Sequence, residues 1–197
     1  MCIRDSDNIA MLYDRGKIRG TVIVAPKGVY KNWDEIEFPE HMPEHVEYTK
    51  VLWEPNNTKK KQAERDTLFA DDDKLKILIM NVEAFSTSKG LDFAHRFLNM
   101  LCGRALIGID ESTTIKNPTA KRTKNILKIG NLANYRRILT GSPVTKAPLD
   151  LYSQCAFLDK NHLDQGSYYS FRTRYAEMVE RYFGGHRVKI VKKYINL

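Results

Sequence analysis

Two adjacent carboxylates, Asp110 and Glu111, directly follow the apolar run of residues 105–109. A short aliphatic run of this kind predicts a buried strand, which places the pair at the end of that strand. Carboxylates are costly to bury without partners, so a pair at this position needs a reason. One reason is nucleotide hydrolysis, in which the first acid holds Mg²⁺, commonly through water, and the second orients or deprotonates the attacking water. The other is structural, because the pair could simply cap the helix that follows.

A second strand end carries hydroxyl side chains. Thr140, Gly141 and Ser142 follow the strand predicted at 135–139. Two hydroxyls on either side of a glycine suit a turn that hydrogen-bonds to the carboxylates of a neighbouring strand, and an ordinary turn is the plain alternative.

A third strand end carries a possible phosphate site. Pro26 and Lys27 follow the strand predicted at 21–25 and lead into a helical segment. The first backbone N–H groups of that segment, together with Lys27, could hold a phosphate. A Pro/Gly loop that only caps the helix is the alternative.

Short apolar runs alternate with amphipathic segments along the whole chain. The apolar runs predict strands at 21–25, 46–53, 75–80, 105–109 and 135–139. The amphipathic segments predict helices at 7–15, 56–70, 91–101, 118–129, 149–157 and 168–182, and Val29, Trp33 and Ile36 fall on one further helical face. Continuous apolar strands that alternate with helices predict an α/β fold of three layers, a parallel sheet covered on both faces.

Composition and charge restrict the class of protein. The chain has 197 residues, 42% of them hydrophobic and 28% charged, which is enough for one domain with a sizeable core. We find no apolar run long enough for a membrane span and no signal peptide, so we expect a cytoplasmic protein with no membrane partner. Three cysteines and five histidines are too scattered for a disulfide framework or a zinc site. The net charge of +8 comes from residues 101–197, with 17 basic and 7 acidic side chains, which favours a polyanion such as nucleic acid as partner.

The C-terminal part is both basic and aromatic. Residues 160–197 contain eight basic and three acidic side chains interleaved with aromatic ones, a pattern that suits nucleic-acid stacking. However, Phe171, Tyr175, Met178 and Tyr182 recur at helical spacing, which favours a helix with this stripe facing the core. Four arginines then remain as candidate phosphate contacts: Arg172, Arg174, Arg181 and Arg187.

The first six residues, Met-Cys-Ile-Arg-Asp-Ser, match what the transposon end used in sequencing libraries encodes in this reading frame. We therefore expect residues 1–6 to be a sequencing-adapter artefact rather than part of the fold. The natural chain would then have been cut at its N-terminus. The alternative is a native start that happens to match.

Four segments together resemble the motifs of superfamily two helicases. They are VIVAPKGVYKNW at 22–33, ILIMNVEAF at 77–85, LIGIDESTTIKNP at 106–118 and ILTGSPVTKAPLDLYSQCAFLD at 138–159. The likeness is greatest to the SWI/SNF-type DNA translocases, including their small phage and bacterial members. It implies a RecA-like fold, an ATP-dependent DNA helicase or translocase as the parent protein, and ATP and Mg²⁺ as cofactors. The domain plan that it implies is a first ATPase lobe over 7–160 and a basic helical and strand extension over 161–197, leading toward a second lobe.

The resemblance also implies roles for single residues. Asp110 would bind Mg-ATP by holding the Mg²⁺ through water, and Glu111 would position the hydrolytic water. The residues that couple the nucleotide site to DNA would be Thr113, Thr140, Gly141 and Ser142. The residues along the backbone of the DNA, which we expect to be double-stranded, would be Pro26, Lys27, Asn81, Lys116 and Asn117. Backbone contacts give affinity without sequence specificity, so binding should weaken steeply with salt.

The sequence departs from the family pattern in several ways. The acidic motif usually has His at the position of Thr113, and a hydroxyl cannot change its protonation as an imidazole does. The glycine-rich phosphate loop ending in Lys-Ser/Thr is absent, and we infer that it was lost in sequence assembly because it would lie just before Asp7. The second lobe, with an arginine that completes ATP hydrolysis, is absent as well. We therefore expect very little ATPase activity from this chain alone.

Two other classes of function stay open at this point. One is a non-catalytic nucleic-acid-binding module with a degenerate ATPase fold, and an intact phosphate loop upstream of Asp7 would argue against it. The other is a metal-dependent nuclease that uses Asp110 and Glu111. Such a nuclease needs further acidic ligands on nearby strand ends, and the sequence offers none that is convincing.

Overall fold

The computed structural model describes residues 3–196, and at its centre is a sheet of five parallel strands in the order β2-β3-β1-β4-β5. The strands are β1 (Gly20–Ala25), β2 (Tyr48–Leu52), β3 (Leu75–Asn81), β4 (Gly103–Asp110) and β5 (Ala133–Leu139). The three inner strands are buried along almost their whole length, as a sheet covered on both faces requires. All five predicted strands are confirmed.

Helices cover both faces of this sheet. They are α1 (Ile3–Asp14), α2 (Tyr30–Asn32), α3 (Phe38–His41), α4 (Lys59–Asp66), α5 (Ser88–Met100), α6 (Lys121–Gly130), α7 (Leu151–Leu158) and α8 (Tyr168–Tyr175). On one face the core includes Phe97, Ile126 and Phe157, and on the other it includes Ile9 and Phe38. The predicted three-layer α/β class is therefore confirmed. None of the helices within residues 3–196 is long and apolar enough to cross a membrane.

The helical segment after β1 contains an irregularity that matters for the site. A π-helical turn, Trp33–Glu37, separates α2 from α3. The single helical face expected for Val29, Trp33 and Ile36 is not found, since Trp33 is 1% exposed and Ile36 is 42% exposed. A π turn contains one residue more than an α-helical turn, which rotates the following side chains and puts Phe38 in the core instead of Ile36.

The strand order places a topological switch at β1. From β1 the chain moves outward to β2, returns through β3, and then adds β4 and β5 on the other side. Val24 of β1 pairs with Ile109 of β4, so the carboxyl ends of these two strands lie side by side. In open α/β sheets, ligands bind outside the carboxyl ends of the strands next to such a switch.

The C-terminal part differs from its prediction. Beyond α8 the chain forms an antiparallel hairpin of β6 (Ala176–Phe183) and β7 (His186–Tyr194). The continuous helix over 168–182 is therefore wrong, and Tyr182 is exposed rather than part of a core stripe. Gly184 and Gly185 both have positive φ, the backbone conformation of the tight two-residue turns that join antiparallel strands.

The helix predicted at 7–15 is longer at its N-terminal end. Helix α1 begins at Ile3, and the buried carboxylate of Asp5 lies 3.2 Å from Nη1 of Arg137. Burial is the main reason that the pKa of Asp5 is raised; Arg137 opposes the rise and the negative charge of Asp110 adds to it. The start of α1 is therefore close to the acidic pair. The interpretation of these first residues as an adapter artefact stays a prediction.

Candidate functional site

The loops that follow β1, β3, β4 and β5 meet at the carboxyl edge of the sheet. Ala25 of β1 pairs with Asn81 of β3, and Asp110 of β4 pairs with Leu139 of β5. The residues expected to act in catalysis, coupling and DNA binding lie at these strand ends or in the loops that follow them. The structure therefore brings the predicted site residues to one edge of the molecule.

The carboxylate of Asp110 is held by two donors. Asp110 is 2% exposed, its Oδ2 accepts a hydrogen bond from Trp33 Nε1 at 2.9 Å, and its Oδ1 accepts one from the backbone N–H of Glu111 at 2.9 Å. A hydrogen bond to a charged group contributes about 1.5–3 kcal/mol, so the two bonds offset much of the cost of burying the carboxylate. The Trp33 indole is itself buried, and this fixes the position of the acid.

The carboxylate oxygens at this edge fit a magnesium ion that arrives with a nucleotide. Mg²⁺ keeps several waters and is usually bound by one or two carboxylates plus substrate phosphates. Each Asp110 oxygen accepts one protein hydrogen bond and keeps a further lone pair for a metal-bound water. Within residues 3–196 no three His, Cys, Asp or Glu side chains are grouped to hold a metal ion. The two oxygens of Asp110, each with a lone pair left for a metal-bound water, therefore fit a metal held through water and phosphate.

Glu111 has an uncommon backbone conformation. Its φ of 48° and ψ of 60° lie in the left-handed region, which costs a non-glycine residue about 1–3 kcal/mol and is often found at functional sites. The Glu111 side chain is exposed, whereas Asp110 before it and Ser112 after it are buried. Glu111 makes no capping hydrogen bond to the 3₁₀ turn Ser112–Ile115 that follows. An exposed acid beside a buried one fits the two different roles expected of the pair better than it fits a helix cap.

The turn after β5 is stabilised from within. The Thr140 hydroxyl accepts a hydrogen bond from the Ser142 N–H at 3.2 Å, and the Ser142 hydroxyl donates to the Val144 carbonyl at 3.2 Å. Both bonds stay within the turn, which fits the ordinary turn of the two alternatives, and within the described residues neither hydroxyl bonds to a carboxylate of the neighbouring strand. A Cβ added at Gly141 would meet no atom within 4 Å, which leaves this position open.

Gln154 of α7 links this turn to the acidic loop. The residue is fully buried, and its Oε1 accepts a hydrogen bond from the Ser112 hydroxyl at 2.6 Å. Its Nε2 donates to the carbonyls of Pro143 at 2.7 Å and of Asp150 at 2.9 Å. The sequence motifs assign no role to Gln154, but a glutamine inside the mostly apolar segment 151–158 is a signal that it has buried partners.

Asp150 holds the second half of the same turn. Its Oδ2 accepts hydrogen bonds from the Thr145 hydroxyl at 2.9 Å and from the backbone N–H groups of Thr145, Lys146 and Ala147 at 3.0–3.4 Å. Lys116 Nζ lies 2.5 Å from Thr145 Oγ1 and 3.8 Å from the Asp150 carboxylate. Burial by itself raises the pKa of Asp150, but these hydrogen bonds and the Lys116 charge outweigh it, so the pKa is lowered. Lys116 therefore joins the acidic loop to the turn, and its contact with DNA stays a prediction.

Three of the residues expected to bind DNA lie at the ends of β1 and β3. Lys27 and Asn81 line one cleft of about 470 Å³, together with Tyr30. Lys27 is exposed and Pro26 is half-buried. The Asn81 Oδ1 accepts a hydrogen bond at 2.9 Å from the backbone N–H of Ala84, in the 3₁₀ turn that follows β3. An exposed cation beside an open cleft is accessible to a phosphate backbone.

Thr113 and Asn117 lie in the loop after the acidic pair. Thr113 is half-buried, and its carbonyl accepts the N–H of Lys116 at 3.2 Å. Asn117 is exposed. Its Oδ1 accepts hydrogen bonds from the backbone N–H of Thr119 at 3.0 Å and from the Thr119 hydroxyl at 2.8 Å. The coupling role of Thr113 and the DNA contact of Asn117 stay predictions.

Residues 7–192 match the family model of the SNF2-related domain. This match covers almost the whole chain, so the chain belongs to the SNF2-related domain family. The resemblance carried by the four motif segments is thereby confirmed. The match also runs through the β6–β7 hairpin.

Two solved structures and one curated relative illustrate the similarity. The Sulfolobus solfataricus SWI2/SNF2 ATPase core in complex with dsDNA has a TM-score of 0.61 at 22% identity, and the same organism's ATPase core domain has a TM-score of 0.54 at 22% identity. Each likeness covers 85% of this chain and 30% of the other, and at this identity it shows the RecA-like fold alone. The helicase-like transcription factor of Mus musculus is 26% identical over 143 residues, which are 72% of this chain and 13% of that protein. The chain thus spans less than a third of each of these proteins.

The buried link through Gln154 leads to a stability prediction. We expect Gln154→Leu to lower the free energy of unfolding by about 1–3 kcal/mol, because leucine leaves the buried Ser112 hydroxyl without its partner. Adding Ser112→Ala should cost less in the Gln154→Leu background than in the wild type. Urea denaturation of the four proteins of this cycle measures the coupling. Gln62→Leu, at an exposed position of α4, is the matched control, and a coupling energy near zero would contradict the assignment.

The lowered pKa of Asp150 leads to a pH prediction. A carboxyl whose pKa is lower in the folded state stabilises the protein above its unfolded pKa, near 3.8, and this contribution disappears as the pH falls through the folded pKa. Asp150→Asn should therefore be less stable than the wild type at pH 7, and the difference should shrink below about pH 4. Denaturation at pH 3–7, with the exposed Asp71→Asn as control, measures this. A difference that does not change with pH would show that the hydrogen-bonded charge is not responsible.

Proposed function

We propose that this chain is the first ATPase lobe of a DNA-dependent ATP hydrolase that moves along DNA. The observation that carries the proposal is the pairing of the buried Asp110 with the exposed Glu111 beside the topological switch, in a chain of the SNF2-related domain family. The two acids offer the two functions that nucleotide hydrolysis needs, a metal anchor and an acceptor for the attacking water. The parent protein needs a phosphate-gripping loop in addition to the residues of this chain.

Hydrolysis in this proposal divides the work between the two carboxylates. Asp110 would hold Mg-ATP through water, and the indole hydrogen bond from Trp33 keeps that carboxylate in place. Bound Mg²⁺ supplies charge neutralisation at the phosphates. Glu111 accepts a hydrogen bond from the attacking water, orients it toward the phosphate and takes up its proton.

Coupling to DNA is proposed to pass between the loop after β4 and the turn after β5. Gln154 contacts both of these segments, and Lys116 of the loop after β4 contacts Thr145 beyond the turn. A shift of the acidic loop would therefore move the turn at Thr140–Ser142 without any direct bond from its hydroxyls to the acids. Thr113 lies on the acidic loop, where it would move with the nucleotide state.

DNA is the proposed partner of the edge that Pro26, Lys27, Asn81, Lys116 and Asn117 share. The excess of basic side chains in residues 101–197 supports a polyanion, and a SWI2/SNF2 ATPase core of the same fold is known in complex with dsDNA. Contacts to phosphates give affinity that is independent of sequence and falls steeply with salt. We therefore propose double-stranded DNA, bound by its backbone.

Two further elements belong to the proposal. A second ATPase lobe of the same parent chain would complete the site with an arginine. We also propose that the parent acts in the cytoplasm of a bacterial cell, or of the infected host if it is a phage protein. The likeness of the four motif segments to small phage and bacterial members supports this location.

The experiment for the proposed function uses the full-length parent protein with Glu111→Gln. Glutamine keeps the size of the side chain but is a far weaker proton acceptor, so we expect DNA-stimulated ATP turnover to fall at least about a hundredfold. Binding of a fluorescent ATP analogue should change by no more than about threefold, because Asp110 remains in place. Steady-state turnover and equilibrium titration measure the two quantities.

Glu44→Gln, an exposed glutamate in the loop before β2, should leave both quantities unchanged. Retained turnover in Glu111→Gln would contradict the role of Glu111. Wild-type protein that binds DNA but shows no turnover would contradict the enzyme and favour a non-catalytic nucleic-acid-binding module.

A further inference from the structure

The β6–β7 hairpin forms a two-stranded sheet of its own, outside the five-stranded sheet. Its base is anchored by a small apolar cluster in which Phe171 of α8 and Ala176 are buried and Met178 and Val191 are half-buried. Beyond this base the strands become fully exposed toward the turn. The distal half, residues 180–189, therefore presents its side chains to solvent.

Aromatic side chains occupy the tip of this hairpin. Tyr182 is 73% exposed and Phe183 is 56% exposed, and both directly precede the turn formed by Gly184 and Gly185. Successive side chains of a strand point to opposite faces, so the two rings lie on opposite sides of the tip. Large exposed rings contribute nothing to the core, and a tight two-residue turn holds them in a defined place.

The charges around the rings are mainly positive. Tyr182 lies directly across from Arg187, and Phe183 lies directly across from His186. Glu180 is the one acid of residues 180–189, and it is engaged by Arg187 and by Lys189. Arg181 forms no ion pair within the described residues. An anion would therefore meet surplus positive charge on either side of the aromatic tip.

The base of the hairpin is connected to the edge that carries the candidate site. The cluster beneath it includes Leu149, the neighbour of Asp150 in the chain. Asp150 in turn holds the backbone of Thr145 and Lys146 in the turn after β5. The hairpin thus starts beside the turn that is proposed to couple hydrolysis to DNA.

We propose that the hairpin tip is a second nucleic-acid contact, in which Tyr182 and Phe183 stack on unpaired bases while Arg181 and Arg187 meet the adjacent phosphates. Aromatic rings flanked by cations bind single strands in this way, because every base offers a π face. The faces of bases inside a duplex are covered by their neighbours, so the tip requires a single-stranded segment, an end or a junction. The inference rests on the proposed function in one respect, that DNA is the partner.

The test compares two DNA ligands with the full-length protein. One is a blunt duplex and the other is a forked duplex with the same double-stranded length, and fluorescence anisotropy at several salt concentrations gives each Kd. Tyr182→Ala with Phe183→Ala should weaken binding to the fork by about tenfold or more and to the blunt duplex by less than about twofold. The salt dependence of DNA binding by this double alanine variant should equal that of the wild type, because no cationic side chain is removed.

Two further variants separate stacking from a general surface effect. Tyr169→Ala removes a tyrosine that is 64% exposed on α8, outside the hairpin, and should bind both ligands as the wild type does. Tyr182→Trp with Phe183→Trp keeps two stacking rings and should retain the preference for the fork. A 2-aminopurine base in the single-stranded arm should be quenched by the wild type and not by the double alanine variant.

The contrary outcomes are distinguishable. Equal binding of both ligands by the wild type, or an equal loss on both for the double alanine variant, would overturn the inference and leave DNA as a partner. Unchanged DNA binding with loss of self-association in light scattering would show a protein contact instead, and would also overturn it. Absence of any DNA binding by the wild type would overturn the proposed function together with this inference.

Discussion

The hydrogen bond between the buried carboxylate of Asp110 and the indole of Trp33 is the contact on which the rest of the site depends. A carboxylate at 2% exposure must keep its donors, because an uncompensated buried charge costs several kcal/mol. The indole N–H comes from the helical segment after β1, and the carboxylate comes from the end of β4. The bond therefore ties together the loops on the two sides of the topological switch, where a nucleotide would bind.

The other contacts at the carboxyl edge of the sheet begin at the residue that follows Asp110. Glu111 turns the chain through a left-handed conformation, and this brings its own side chain to the surface and Ser112 into the interior. The strain of about 1–3 kcal/mol at Glu111 is partly offset by the buried hydrogen bond between Ser112 and Gln154. Gln154 and Lys116 then reach the turn after β5. The acidic loop and the turn are thus a connected set of contacts rather than two separate motifs.

The sequence predicts the sheet and the acidic pair well because both depend on local patterns. Buried parallel strands are continuous apolar runs, and a strand end is visible where such a run stops. The partners of the site are not local, since Trp33 and Asp110 are 77 residues apart and Ser112 and Gln154 are 42 apart, and only packing brings them together. The sequence pattern did not predict the β6–β7 hairpin, for a different reason. A spacing of four residues, as between Met178 and Tyr182, puts two side chains on one face of a helix and also on one face of a strand.

The most direct measurement of the central claim is ATP turnover by the full-length protein with Trp33→Phe. Phenylalanine fills much of the same buried space but removes the N–H that holds Asp110. Loss of a hydrogen bond to a charged group corresponds to roughly 1.5–3 kcal/mol, so turnover should fall by about tenfold to a hundredfold while DNA affinity stays within about twofold. Turnover and stability that both equal those of the wild type would contradict the account, because Asp110 would then be positioned without this bond.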